Sequence, residues 1–154
     1  AGIEAGAVVT TVGSGGTLGG LILGSALHDL DTEIFGFNIC DDEAYFVGKI
    51  TTDLALWRKR YQSGLEVKDL AITVVDGYVG PGYAKATPEV FRTISKIAKQ
   101  EGIVLDPVYT GKAFDAMLQE IRSGRLSGQD EVVFIHTGGI YGLFPQKEEL
   151  LRAI

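Results

Sequence analysis

Positive charge is scarce in this 154-residue chain, with 14 Lys and Arg against 20 Asp and Glu and a net charge of -6. No basic patch is available to neutralise a phosphate backbone and no basic amphipathic helix to lie on a lipid surface, so neither nucleic acid nor membrane is expected as a partner. Cysteine is reduced to Cys40. One thiol forms no internal disulfide and no metal cluster, which points to a reducing compartment and a cytoplasmic protein. Cys40 itself is expected as a buried thiol at a strand end rather than a nucleophile. The only histidines, His28 and His136, lie too far apart for a ligand spacing, so no metal is expected. Long apolar runs are missing as well: the longest, around Leu18 to Leu27, is too short to span a bilayer and is interrupted by glycine. There is neither a signal peptide nor an initiator methionine, and the chain is expected to begin inside a larger protein.

What remains is an ordinary globular composition, 45% hydrophobic and 22% charged, enough for a core. Ala7 to Val12 is a β-branched run that predicts a buried strand, followed by a helix from about Thr17 to Leu30. Glu33 to Cys40 predicts a second strand. Asp41 and Asp42 with Glu43 then start a long helix that carries Phe46, Ile50, Leu54, Trp57 and Tyr61 on one face. A third strand falls on Ala71 to Val75, before the glycine-rich loop from Asp76 to Tyr83. Thr87 as N-cap with Pro88 at the first helical position opens a helix whose stripe of Val90, Ile94, Ile97 and Ala98 runs to Gly102. A loop from Leu105 to Gly111, with Asp106 before Pro107 as a turn, leads to a helix with Phe114, Met117, Leu118 and Ile121 inward, stopped at Gly124. Glu131 to His136 predicts the last strand and Glu148 to Ile154 a final helix. Strands alternating with amphipathic helices give an α/β fold, a mostly parallel sheet flanked by helices, with ligands at the carboxyl ends of the strands.

The motif with chemistry at such an end is Gly13-Ser14-Gly15-Gly16-Thr17, between the first strand and the first helix. Glycines let the backbone approach an anion, the helix start supplies free N–H groups, and Ser14 and Thr17 add hydroxyl donors. A phosphate group fits, and replacing Gly15 by a bulky residue is expected to weaken its binding more than folding. The same residues also suit a tight turn without a ligand. A dinucleotide fingerprint fails because its third glycine falls on Leu18, and no Lys-Ser/Thr follows for a nucleotide loop. Gly19, Gly20 and Gly24 are expected to allow close helix-to-sheet packing. Tyr45, Tyr61, Tyr78 and Tyr141 are expected to pack. His28, late in its helix, needs no more than a dipole interaction, and His136 can line a pocket in a hydrogen-bonding role.

VGSGGT at 12–17, GYVGPGYAKATPE at 77–89, EGIVLDPVYTGKA at 101–113 and VVFIHTGG at 132–139 together resemble, in that order, segments of one family over nearly the whole chain. It is the D-cysteine desulfhydrase and 1-aminocyclopropane-1-carboxylate deaminase family of fold-type II pyridoxal-phosphate enzymes. The resemblance implies a cofactor, pyridoxal 5'-phosphate, whose phosphate Gly13, Ser14, Gly15, Gly16 and Thr17 would hold. It implies that Tyr83 and Tyr109 are active-site tyrosines that orient substrate and, with a lowered pKa, exchange a proton. Thr110 and Thr137 would lie near the ring nitrogen, where the deaminases carry glutamate and leucine. Lys112 would be a surface lysine at a helix start, not the Schiff-base residue. The chain would be the C-terminal portion of the large cofactor domain. The N-terminal half of the enzyme, with the Schiff-base lysine and the loop that grips the substrate carboxylate, would be its partner, and the chain alone would be inactive. The implied reaction is α,β-elimination from a small amino acid, D-cysteine first, to pyruvate, ammonia and sulfide, in a homodimer. A deaminase or sulfo-lyase of the same family remains an alternative, and so does a non-catalytic phosphate- or nucleotide-binding α/β domain.

Overall fold

The computed structural model describes residues 4–153. Four strands, β1 (Ala7–Val12), β2 (Glu33–Asn38), β3 (Thr73–Val75) and β4 (Val132–Phe134), form one sheet in the order β3-β2-β1-β4, and every pairing is parallel. In register, Val9 of β1 lies between Phe35 of β2 and Phe134 of β4. Among the described residues there are five α-helices, α1 (Gly16–Leu27), α2 (Glu43–Tyr61), α3 (Pro88–Glu101), α4 (Thr110–Ser123) and α5 (Lys147–Arg152). This is the expected α/β layering.

Both faces of the sheet are covered, which is why β1 is a β-branched run buried on both sides, Thr10 and Thr11 included, rather than an alternating one. On one face Val12 and Val74 meet Leu18 and Ile22 of α1 and Phe46, Ile50 and Leu54 of α2. On the other, Ala7, Val9, Phe35, Phe37 and Val75 meet Ala113, Ala116 and Met117 of α4. A third cluster joins Val90, Phe91 and Ile94 of α3 to Leu105. α1 approaches the sheet closely at Gly36, where a methyl would lie 2.4 Å from Leu18 Cδ2 and from Val12 Cγ2 of the neighbouring strand.

Local signals place the elements, and the fold trims their ends. Asp42 caps α2, accepting from Tyr45 N at 2.8 Å, and Gly102 ends α3 with φ 68°. Thr87 is the N-cap of α3 with Pro88 behind it, although its side chain makes no capping bond. α1 stops at Leu27, earlier than Leu30, because Asp29 turns to φ 50° and Leu30 N–H returns to Ser25 O at 3.0 Å. β2 ends at Asn38 rather than Cys40, where Asp41 takes φ 51°, and β4 is confined to Val132–Phe134. α4 begins at Thr110, inside the expected loop. The final helix is the short Lys147–Arg152, and Ile154 falls outside the described residues.

Some burial expectations are overturned. On α2 the apolar stripe outlasts the sheet it packs on, so Trp57 is only half-buried and Tyr61 is exposed; Ile121 at the end of α4 is exposed for the same reason. Tyr45 and Tyr141 are also exposed, Tyr141 at 82%, whereas Tyr78 packs on Phe37 with its hydroxyl donating to Glu120 at 2.6 Å. The helix glycines do not press against the sheet. Gly19 faces Ile50 of α2, while Gly20 and Gly24 face open space.

Candidate active site

The strand order fixes where a ligand can bind. From β1 the chain steps through α1 to β2 and through α2 to β3. It then returns by way of α3 and α4 to β4 on the other side of β1. The loops leaving β1 and β4 therefore part in opposite directions, and the crevice between them is the switch point at which open parallel sheets bind ligands. An open cleft of about 910 Å³ lies there. Its walls come from Gly13, Ser14, Gly15 and Thr17 after β1, Thr137 to Gly139 after β4, and Tyr83 and Tyr109 from the loops before α3 and α4.

Residues 13–17, the turn from β1 into α1, form one wall of the cleft. Gly15 is the N-cap of α1 at φ 80°, no side chain caps the helix, and its first turn holds no acidic residue. The amides of the first turn thus have neither a helical acceptor nor a capping oxygen, and with the hydroxyls of Ser14 and Thr17 they offer what a phosphate monoester needs. Gly16, the first residue of α1, is not among the residues lining the cleft. The expectation for Gly15 must be revised. Its φ is positive, and an added methyl would lie 3.0 Å from Ile50 Cγ1, so a bulky substitution there would strain folding as well as binding.

Tyr83 and Tyr109 meet across the cleft with their hydroxyls hydrogen-bonded and their ring centroids 6.1 Å apart. The hydrogen bond Tyr109 makes to Tyr83, followed by burial, pushes the Tyr109 phenol up to about 12 from the ordinary 10.0. This is opposite to the lowered pKa that proton exchange would want: Tyr109 is held as a neutral phenol, a donor. Tyr83→Phe is expected to bring Tyr109 back toward 10, read from its 13Cζ shift in a pH titration, and an unmoved midpoint would refute the hydrogen bond as the cause. The sign for stability follows. A phenol raised in the folded state supports folding below pH 10, and that support is lost as pH climbs through about 12.

Asp106, expected only as a turn residue, proves to organise this wall. It is fully buried, and its carboxylate accepts from the N–H groups of Val108, Tyr109 and Thr110 at 2.8, 2.9 and 2.8 Å and from the Thr110 hydroxyl at 2.7 Å. That is why α4 begins at Thr110. Gly139 lies directly on the carboxylate, since a Cβ there would be 2.4 Å from Oδ1. Thr110 is consequently buried, with its hydroxyl proton on Asp106, and does not line the cleft; Thr137 is exposed and does. His136 is outside the lining too. Its Nδ1 accepts from Gly138 N at 3.1 Å and its Nε2 donates to Val104 O at 3.0 Å, so it steadies the 137–139 turn, the hydrogen-bonding role expected of it.

Two further expectations fail. Cys40 is not a fully buried strand-end thiol: it lies beyond the end of β2, half-buried at the cleft, with its pKa raised by burial and by Asp41. Lys112 is not a surface lysine. It is 2% exposed, and its ammonium donates to the carbonyls of Val79 and Gly82. Thr11, Asp41, Val79 and Gly82 also line the cleft; none was expected there as a site residue, although Val79 and Gly82 fall within the 77–89 segment. For Asp106 a signal did exist, an aspartate followed by proline and by a threonine four residues on, a local capping pattern.

Known proteins resemble this chain in sequence and in fold. A family model described as pyridoxal-phosphate dependent enzyme matches residues 2–138. A Thermotoga maritima protein carrying a provisional 1-aminocyclopropane-1-carboxylate deaminase name is 40% identical over 146 residues, 94% of this chain and 45% of that protein. A D-cysteine desulfhydrase of Klebsiella pneumoniae is 34% identical over 143 residues, 92% of this chain and 42% of the relative. The crystal structure of a 1-aminocyclopropane-1-carboxylate deaminase homologue superposes with a TM-score of 0.89 at 33% identity, over 100% of this chain and 46% of that one. The chain thus spans less than half the length of these relatives. It belongs to the pyridoxal-phosphate dependent enzyme family, among relatives named for 1-aminocyclopropane-1-carboxylate deaminase and D-cysteine desulfhydrase.

Proposed function

We propose that this chain is the C-terminal portion of the cofactor domain of a D-cysteine desulfhydrase-like lyase, which with water converts D-cysteine to pyruvate, ammonia and sulfide. The observation that carries the reading is the cleft at the switch point, where the uncapped start of α1 faces a hydrogen-bonded tyrosine pair. When bound, pyridoxal phosphate supplies an electron sink that eases loss of the substrate's α-proton. The N–H groups of the first turn of α1, with Ser14 Oγ and Thr17 Oγ1, would hold its phosphate. The neutral Tyr109 phenol would hold its proton toward Tyr83 Oη, and the Tyr83 hydroxyl, so fixed, would orient the substrate. The lysine that carries the cofactor and the loop that grips the substrate carboxylate would come from the rest of the enzyme, because Lys112 is already engaged with two carbonyls.

Relatives carry both activity names, so family membership does not choose between them. Threonine at 110, where the deaminases carry glutamate, leaves no carboxylate there to protonate a ring nitrogen, and Thr137 brings only a hydroxyl to the cleft; a thiolate leaving group asks less of the sink than ring opening, so the pair favours desulfhydrase chemistry. A deaminase is the alternative.

The anion site is tested by Gly16→Asp. A Cβ at Gly16 meets only Ser14 Oγ, at 3.8 Å, so the substitution fits. An aspartate in the first turn stabilises the helix by about 0.3–1 kcal/mol. The same charge repels a phosphate by at least ~1 kcal/mol at contact distance. Thermal stability is expected to hold or rise while affinity for pyridoxal phosphate, followed by 31P NMR, falls by about tenfold. Undiminished affinity would place the phosphate elsewhere and leave a loop that only turns the chain.

A further inference from the structure

Lys112 occupies the first turn of α4, where the helix dipole disfavours a cation. It is almost wholly buried, and among the described residues no carboxylate pairs with it. A methionine would fill similar space without the cost of a desolvated charge. What the ammonium does instead is specific: Nζ donates to Val79 O at 2.7 Å and Gly82 O at 2.8 Å. Both carbonyls belong to the connection between β3 and α3, which has no strand or helix between Asp76 and Ala86. That connection is conformationally demanding, with Gly77, Gly80, Gly82 and even Ala84 at positive φ, 93°, 69°, 136° and 57°. Tyr83 follows immediately after the second tethered carbonyl and projects to the cleft, where its hydroxyl meets Tyr109.

Tyr109 is held from the same turn of chain. Asp106 fixes its backbone N–H, and Lys112, three residues further on, reaches across to the other loop. One short segment, 106–112, therefore grips both tyrosines, one through a buried anion acting on N–H groups and the other through a buried cation acting on carbonyls. We infer that Lys112 is a positioning residue that sets the Tyr83 phenol against Tyr109 by tying the Val79 and Gly82 carbonyls to the start of α4.

The use of this clamp in catalysis rests on the proposed function, in which the two tyrosines face the substrate. The clamp itself needs neither cofactor nor substrate, so its failure and the failure of that reading are separable. In Lys112→Met the loop is expected to come away, the ring-to-ring NOE between Tyr83 and Tyr109 to vanish, and the Tyr109 midpoint to fall from about 12 toward 10, as in Tyr83→Phe. Lys112→Arg, which keeps a cation with donors for both carbonyls, is expected to restore the NOE and the high midpoint. A general packing role would lower the melting temperature of the methionine variant yet leave the tyrosine pair intact while the chain is folded, and that result overturns the inference. Should the methionine variant not fold, the unmodified chain decides. The Lys112 ammonium protons are expected to exchange slowly and to show NOEs to the Gly82 α-protons, and solvent-like exchange without those NOEs would overturn the clamp.

Discussion

Asp106→Ala is expected to lower the unfolding free energy by about 3–5 kcal/mol, because it strands several buried donors at once. The N–H groups of Val108, Tyr109 and Thr110 and the Thr110 hydroxyl all end on this carboxylate, and the residue is inaccessible to solvent. Each unsatisfied buried donor costs about 1–3 kcal/mol, discounted where the start of α4 can relax toward water. Asp106→Asn keeps one acceptor oxygen and should lose only about 1–2 kcal/mol. Urea unfolding of the three proteins measures both differences. Because Gly139 rests on the same carboxylate, the 137–139 turn is expected to shift with it, visible as chemical-shift changes at Gly138 and Gly139. An alanine variant within about 1 kcal/mol of the parent would mean that water replaces the carboxylate at little cost and that Asp106 is not the organiser of this wall.

Parts of this molecule that depend on neighbours in sequence could be read from it, and parts that depend on neighbours in space could not. β1 and its glycine loop were legible because β-branching, a glycine cluster and the following apolar period are all local. The same holds for α3, bracketed by Thr87-Pro88 and Gly102. Lys112 shows the opposite case. Its sequence neighbours describe a helix start, which normally faces water, and only the passage of the 76–86 connection over it makes it buried. Trp57 and Tyr61 continue a genuine helical stripe, but β3 is three residues long and offers nothing for them to cover. Gly20 and Gly24 look like a packing surface because glycine permits close approach, yet nothing approaches. Tyr83 and Tyr109, 26 residues apart, could be named by resemblance; their hydrogen bond, and the upward shift it causes, is a property of the fold.

The last expectation concerns which reaction the complete enzyme performs. Unmodified, it should release sulfide from D-cysteine faster than it deaminates 1-aminocyclopropane-1-carboxylate. The combination Thr110→Glu with Thr137→Leu should move the ratio toward ring opening by on the order of a hundredfold. That figure is two pKa units at the ring nitrogen, each worth about 1.4 kcal/mol between protonation states. The geometry at Thr110 bears on how the glutamate would sit. The Thr110 hydroxyl donates to Asp106 Oδ1 at 2.7 Å, a bond an ionised glutamate cannot make, so like charges would oppose each other and drive the longer side chain away from Asp106. Thr110 is fully buried and does not line the cleft, so the glutamate has to displace its neighbours to reach it; from there a carboxylate would favour the protonated ring. Stability should fall by more than the ~1–3 kcal/mol of that bond, because the new charge starts from a fully buried position beside Asp106. Thr137 already lines the cleft, and leucine there reshapes the wall without changing charge, so Thr137→Leu alone should shift the ratio little. Pyruvate and 2-oxobutyrate, measured separately for each variant, give the two rates. An unmodified enzyme that already prefers the cyclopropane substrate would sink the desulfhydrase reading. A double variant whose preference stays put would show that residues 110 and 137 do not govern the sink.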